Sequence, residues 1–156
     1  MNEITELKFT VSGRISRPCA EVYEAVADPD QLSKYFATGG ARGHLSTESV
    51  VEWDFHDFPG AFPVTVVEAI PPRRITLEWE AEGAAQGAGV TRVVFEFEPV
   101  AGDDARTLVT ITESSWGLTE TGAKSAFGNC EGWTGMLLAL KGWLEYGVNL
   151  REGFYV

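Results

Sequence analysis

Apolar residues near the end of the chain recur at steps of three and four positions. This spacing places them on one face of a helix, and it predicts one long amphipathic helix over residues 119–148. The residues of this stripe are Cys130, Trp133, Leu137, Leu140, Leu144 and Val148. Because the chain predicts no second helix of similar length, we expect the stripe to be buried against a sheet.

Upstream of Glu113 the pattern changes to short segments in which apolar and polar residues alternate. Alternation with a period of two is typical of antiparallel strands that have one buried face. The predicted strands cover residues 7–15, 51–55, 62–70, 75–79, 93–97 and 107–115. Two short helices are predicted after the first strand, and Asp28 can cap the second, which runs through Leu32 to Phe36. Loops are predicted at 38–43, 57–60 and 82–89, of which the first and last are rich in glycine.

The inward-facing positions of the predicted strands form an unusually aromatic surface. The residues that share this face are Val51, Trp53, Phe55, Leu77, Trp79, Val93, Phe95, Phe97, Val109 and Ile111. Side chains of this bulk either fill the space between sheet and helix or frame a cavity for a ligand. The two interpretations differ in whether a void exists between Trp133 and Trp79.

Four stretches of the chain occur in an order known from other proteins. They are residues 17–29 (RPCAEVYEAVADP) with Leu32, Tyr35 and Phe36; residues 71–75 (PPRRI) leading to Trp79; residues 91–99 (TRVVFEFEP); and Gly132-Trp133 followed by Leu137, Leu140 and Leu144. Together they resemble the START-like or helix-grip (SRPBCC) superfamily, and within it the branch named after the C-terminal domain of the activator of the Hsp90 ATPase.

The resemblance implies an α+β helix-grip fold. In this fold a curved antiparallel sheet wraps around a long C-terminal helix, with two short helices after the first strand. It also implies a single domain over residues 1–156. The superfamily includes lipid carriers, hormone binders, polyketide aromatases and cyclases, and co-chaperone domains. The resemblance therefore implies a cavity for apolar ligands but does not select the chemistry.

Our leading hypothesis is a binding module for a small hydrophobic molecule held between the sheet and the C-terminal helix. One alternative is an aromatase- or cyclase-type enzyme acting in the same cavity without a metal or nucleotide cofactor. A second alternative is a protein-interaction domain resembling an Hsp90 co-chaperone, which would contact a chaperone. The predicted ligand-binding residues are Tyr35, Trp53, Phe55, Leu77, Trp79, Phe95, Glu113, Trp116, Phe127, Trp133 and Leu137. No catalytic residue is assigned.

Glu113 is the first choice for a polar group that orients a ligand, because it continues the inward phase of the last strand. A carboxylate inside an aromatic cavity needs a partner or a raised pKa. The other interpretation of Glu113 is a strand-end carboxylate in water. Tyr35 and Glu68 are the next candidates, and we expect ligand access near residues 36–43.

Other classes of site find little support in the sequence. His44 and His56 have no recognised metal-ligand spacing, so no metal is predicted, although a metal or a base at these residues is the alternative to solvent-facing histidines. No GxSxG, GxGxxG or Walker A motif occurs, so no cofactor is predicted. The two cysteines, Cys19 and Cys130, lie far apart and exclude a disulfide framework. We expect Cys130 to be a small buried residue of the helix stripe.

Charge and hydropathy limit the partners and the location. A net charge of −11 and a pI near 4.5 argue against nucleic-acid binding and against attraction to anionic membranes. The longest uninterrupted apolar run, residues 136–140, is far shorter than a membrane span. The first residues show no apolar secretion segment, so a cytoplasmic location is predicted.

A second pattern in the last helix involves glycine. Gly128, Gly132, Gly135 and Gly142 follow the helical spacing and project nearly opposite the Trp133 stripe. Glycine costs about 1 kcal/mol relative to alanine inside a helix. The face therefore suggests close approach of another helix and a homodimer formed through these glycines. The alternative is relaxed composition on an outer face.

Overall fold

The computed structural model describes residues 3–85 and 89–156. Its strands form one curved, antiparallel sheet in the order β1-β7-β6-β5-β4-β3-β2. They are β1 (Leu7–Ile15), β2 (Gly40–Arg42), β3 (Ser49–Phe55), β4 (Phe58–Ile70), β5 (Arg74–Glu80), β6 (Val90–Val100) and β7 (Asp103–Trp116). Strands β2 to β6 each pair with the next strand in sequence, and β1 pairs with β7 at the other edge of the sheet.

Within the described residues, the fold also has three helices, namely α1 (Cys19–Ala27), α2 (Pro29–Leu32) and α3 (Glu120–Tyr146). The arrangement confirms the predicted helix-grip class. Both ends of α3 are encoded locally. The Thr119 hydroxyl accepts a hydrogen bond from the backbone N–H of Gly122, which caps the first turn. Gly147 ends the helix in the left-handed conformation, with φ of 68°, and its N–H donates to the carbonyl of Trp143.

The second helix begins where the sequence predicts and ends earlier. The Asp28 carboxylate caps it by accepting from the N–H of Asp30, and a proline occupies its first turn, but it covers only Pro29–Leu32 and does not continue to Phe36. The rest of the predicted helical segment forms turns.

Two of the predicted loops are shorter than expected. Within residues 38–43, the short edge strand β2 pairs Gly40 with Asp54. The predicted turn at 57–60 is mostly strand, because β4 begins at Phe58 and pairs with Phe55. The predicted loop at 82–89 includes residues 86–88, which lie outside the described part of the chain.

The middle of α3 is buried against the sheet, as the stripe predicts. Trp133, Leu137 and Leu140 are buried, whereas Cys130 is partly exposed and Val148, beyond the helix end, is exposed. A Cβ on Gly13 of β1 would lie 3.9 Å from the Leu137 side chain, so the helix approaches this edge strand closely. The face of α3 that carries Leu137 and Leu140 therefore packs on the sheet as part of the core.

Candidate functional site

A fully buried carboxylate lies between the sheet and the N-terminal half of α3. Glu113 of β7 is 0% exposed and accepts hydrogen bonds from four side chains. Its Oε2 accepts from Trp79 Nε1 at 2.8 Å and from Thr91 Oγ1 at 2.6 Å. Its Oε1 accepts from Trp133 Nε1 at 2.8 Å and from Asn129 Nδ2 at 3.0 Å. The carboxylate thus joins three strands to the helix.

Strand register and helical spacing explain how these groups meet. Thr91 lies opposite Trp79 in the β5–β6 pairing, and Glu113 lies opposite the residue two positions after Thr91 in the β6–β7 pairing. Residues two apart on a strand point to the same face, so all three side chains face inward. On α3, Asn129 and Trp133 are four positions apart and share one face. Neutral donors from the sheet and from the helix therefore surround a single acceptor group.

Beside this carboxylate lies an open cleft of about 370 Å³, which we call the aromatic cleft. Its aromatic lining consists of Phe36, Phe55, Phe58, Trp79, Trp133 and Tyr155. The remaining lining residues are Gly128, Asn129, Glu131, Gly132 and Arg151. Trp79 and Trp133 contact each other with ring centroids 5.4 Å apart, so no void separates the two rings, and the open space lies beside them.

One wall of the aromatic cleft is formed by α3 at two glycines, which carry no side chain. A Cβ added at Gly128 or Gly132 would meet nothing within 4 Å. These two glycines therefore leave space at the cleft instead of packing against a neighbouring element.

Arg151, another lining residue of the aromatic cleft, forms an ion pair that the sequence did not predict. Arg151 Nη2 donates to Asp57 Oδ1 at 3.0 Å, and Arg151 Nε lies 2.9 Å from Oδ2 without hydrogen-bond geometry. The two side chains are only 9% and 1% exposed. The guanidinium carbon of Arg151 also lies 4.5 Å from the ring centroid of Phe55 and 5.0 Å from that of Tyr155, within cation–π range.

Two tyrosines near the cleft are held in their neutral form. Burial raises the pKa of the Tyr155 hydroxyl, Arg151 lowers it, and Glu131 and Asp57 raise it further. Burial also raises the pKa of Tyr35 well above its ordinary value, and its hydroxyl donates to the carbonyl of Ala25 at 2.9 Å. Both phenols are therefore suited to donating hydrogen bonds and not to accepting protons at neutral pH.

The structure distributes the eleven predicted ligand-binding residues over four environments. The aromatic cleft is lined by Phe55, Trp79 and Trp133. A smaller cleft of about 200 Å³ is lined in part by Tyr35. The buried interior holds Trp53, Leu77, Phe95, Glu113, Trp116 and Leu137. Phe127 is 73% exposed on α3 and lies outside both clefts.

Several important residues were missed by the sequence analysis. Thr91 and Asn129 had usable signals, because Thr91 shares the inward phase of Val93 and Asn129 lies one helical turn before Trp133. Arg151 had none, since its partner Asp57 is 94 positions away in the chain.

The remaining polar candidates lie away from the aromatic cleft. His44 Nε2 lies 2.8 Å from Glu24 Oε1, and His56 Nδ1 lies 2.5 Å from Thr38 Oγ1. The Glu68 carboxylate pairs with Arg74 on the surface.

Among residues 3–85 and 89–156, no group of three His, Cys, Asp or Glu side chains is arranged to hold a metal ion. Within the same residues, no helix combines the length and the apolar composition that crossing a membrane requires.

Part of the glycine face of α3 is covered by the chain itself. A Cβ on Gly135 would lie 2.5 Å from Tyr155 Oη, and a Cβ on Gly142 would lie 2.6 Å from Leu150 Cδ1. The close approach inferred at these two glycines is therefore made by residues 147–156, which we call the C-terminal segment, and not by a second helix.

The sheet, the long helix and the cleft beside it define a START-like helix-grip protein. Residues 16–145 match the family model described as activator of Hsp90 ATPase homolog 1-like protein. The match covers most of the chain, which therefore belongs to this family. No curated protein matches the chain.

Solved structures support the same fold. Protein SSP2350 from Staphylococcus saprophyticus is 21% identical, with a TM-score of 0.75 over 93% of this chain and 96% of its own. The Aha1 dimer from Colwellia psychrerythraea is 23% identical, with a TM-score of 0.70 over 90% of this chain and 98% of its own. CalU16 from Micromonospora echinospora is 20% identical, with a TM-score of 0.69 over 94% of this chain and 79% of its own.

Proposed function

We propose that this protein binds a small, flat, largely apolar molecule in the aromatic cleft. The observation that carries the proposal is the volume of about 370 Å³ bordered by six aromatic side chains. Small-molecule sites usually span roughly 300–1,000 Å³ and combine apolar walls with a few polar groups. Here the polar groups are Asn129, Glu131 and Arg151.

Burial of apolar ligand surface supplies the driving force, at about 25 cal/mol per Å² before the costs of association are subtracted. The hydrogen bonds to Glu113 fix the indole N–H edges of Trp79 and Trp133, both of which line the cleft. A wall that is already ordered loses less side-chain entropy when a ligand binds. Glu113 would thus act on the ligand through the two tryptophans.

The same geometry favours binding over an enzyme in which Glu113 transfers protons. Each oxygen of Glu113 already accepts hydrogen bonds from two side chains at 3.0 Å or less. A general base must reach the proton that it abstracts. Glu113 would have to give up at least one of these donors to do so.

The proposal is tested with a neutral environment-sensitive fluorophore, the propanoyl ketone of dimethylaminonaphthalene. We expect saturable binding to the wild-type protein, with quenching of tryptophan fluorescence. Gly132→Leu places a branched side chain in the open space of the cleft and should weaken binding at least about tenfold. Gly132→Ala adds a single carbon and should weaken binding less.

The matched control is Thr134→Leu, which adds the same side chain at an exposed position of α3 outside both clefts. Circular dichroism and thermal unfolding establish that all variants are folded. If Gly132→Leu and Thr134→Leu bind the probe equally well, or if the wild-type protein shows no saturable binding, the aromatic cleft is not the site.

The homodimer stays a prediction, and the helix surface that could form it is smaller than the sequence suggested. Of the four glycines, Gly128 and Gly132 are the two whose added Cβ would be free of contacts, and both border the aromatic cleft. A relative described as a dimer shares the fold. Sedimentation velocity at micromolar concentration tests the prediction, and a purely monomeric protein would reject it.

A further inference from the structure

The C-terminal segment separates two clefts. Arg151 and Tyr155 line both the aromatic cleft of about 370 Å³ and the smaller cleft of about 200 Å³. The smaller cleft is bordered by the apolar side chains of Met136, Leu138 and Leu150, and also by Tyr35, Phe154 and Tyr155. Of these two clefts, the aromatic cleft alone reaches the usual size of a small-molecule site, roughly 300–1,000 Å³.

The C-terminal segment is fastened at two places. The buried ion pair between Arg151 and Asp57 ties it to the turn between β3 and β4. On the helix side, Tyr155 Oη and Leu150 Cδ1 occupy the positions next to two helix glycines where a Cβ would come within 2.6 Å. The sequence of α3 therefore provides recesses for this segment.

From these contacts we propose that Arg151 and Tyr155 determine the length of the ligand. With the ion pair intact, the two side chains close the aromatic cleft at one end and restrict it to compact ring systems. When the segment is released, the two clefts join. An aliphatic chain attached to the ring of the ligand is then buried against the apolar side chains of the smaller cleft. This inference rests on the proposed function, since it specifies the class of ligand for the same site.

The ion pair can open without disrupting the sheet, because its two partners are placed differently. Arg151 lies on the last ten residues and can move its charge into water. Asp57 lies in a turn of the sheet and is almost fully buried. Asp57→Asn is therefore the appropriate change, since it removes the buried negative charge. Arg151 then lacks its ionic partner and can move into water.

The test compares two probes with the same ring, the propanoyl and octanoyl ketones of dimethylaminonaphthalene. In the wild-type protein the added methylenes stay in water, so the octanoyl probe should bind no more than about threefold more tightly. In Asp57→Asn the octanoyl probe should bind at least about tenfold more tightly than the propanoyl probe. Hydrogen exchange should accelerate in residues 147–156.

A matched control is Glu78→Gln, which neutralises one partner of the surface pair between Glu78 and Arg92. It should leave both affinities and the exchange of residues 147–156 unchanged. A second variant, Gly135→Ala, acts from the helix side by displacing Tyr155, and Thr134→Ala is its control at the neighbouring exposed position. Gly135→Ala should produce the same shift towards the octanoyl probe.

The outcomes separate the two proposals. If the wild-type protein does not bind the propanoyl probe, the proposed function fails. If it binds that probe but already prefers the octanoyl probe about tenfold, the length restriction is wrong. The restriction is equally wrong if neither Asp57→Asn nor Gly135→Ala changes the preference, whether or not hydrogen exchange accelerates.

Discussion

In the C-terminal half of α3, Leu137 and Leu140 fill the space above the sheet, whereas in the N-terminal half Asn129 and Trp133 bind the Glu113 carboxylate. The C-terminal half is held by close packing of apolar side chains. The N-terminal half is held by directional hydrogen bonds to one buried group. Both halves belong to the same helix and face the same sheet.

The contrast between the two halves of α3 explains how a cleft can exist beside a well-ordered core. Close packing stabilises only where the available volume is filled. Hydrogen bonds fix the position of a ring by its N–H edge, so the ring can stay ordered while one side of it faces open space. The tryptophans at Glu113 are ordered in this way, and the aromatic cleft lies next to them.

The largest effect is expected from removing the buried acceptor. Glu113→Ala leaves four donors without their partner, two of them buried (Thr91 and Trp133) and two partly buried, at about 1–3 kcal/mol for each buried group and with incomplete additivity. We expect the free energy of unfolding to fall by about 4 kcal/mol in urea titrations. Glu113→Gln keeps one carbonyl acceptor and should lose about half as much. A loss below about 1 kcal/mol for Glu113→Ala would mean that the network contributes little.

A smaller loss, with a different consequence, is expected in the packed half of the helix. Leu140→Ala creates a cavity at a fully buried position and should cost about 3 kcal/mol of unfolding free energy. Because Leu140 does not line the aromatic cleft, affinity for the propanoyl probe should stay within about twofold. Parallel urea and probe titrations check both values. A probe affinity that falls together with stability would show that the two halves are not independent.

The smallest effect is expected in the pH dependence of stability, through Glu145 in the C-terminal half of α3. Burial raises the pKa of Glu145, but hydrogen bonds from Lys141 and from the N–H of Ser16, together with the charges of Lys141 and Arg17, lower it overall. A lowered native pKa means that Glu145 contributes stability above its ordinary value of 4.5, and that this contribution disappears as the pH falls through the native pKa.

The test is the decrease in melting temperature between about pH 6 and about pH 3. The decrease should be smaller in Glu145→Gln than in the wild-type protein. Glu52→Gln, at an exposed ion pair with Arg42, should behave like the wild-type protein. Equal decreases in Glu145→Gln and the wild-type protein would contradict the assignment.

Much of the architecture follows from sequence patterns alone. The spacing of Trp133, Leu137 and Leu140 predicts the long helix, and alternation along β5, β6 and β7 predicts which side chains face it. These signals are local, because helices and strands have fixed periods that do not depend on the rest of the chain. The inward direction of Glu113 belongs to the same class of inference.

The surroundings of those inward-facing groups depend on contacts between elements that are far apart in the chain. The four donors at Glu113 come from two strands and a helix, and Arg151 meets Asp57 across 94 positions of the chain. Local periodicity gives the direction of a side chain but not its distance to side chains on other elements. The sequence therefore determined the long helix, the aromatic inner face and the glycines. The contacts between elements placed two tryptophans on a carboxylate, the open space beside them, and Arg151 and Tyr155 of the C-terminal segment in the lining of that space.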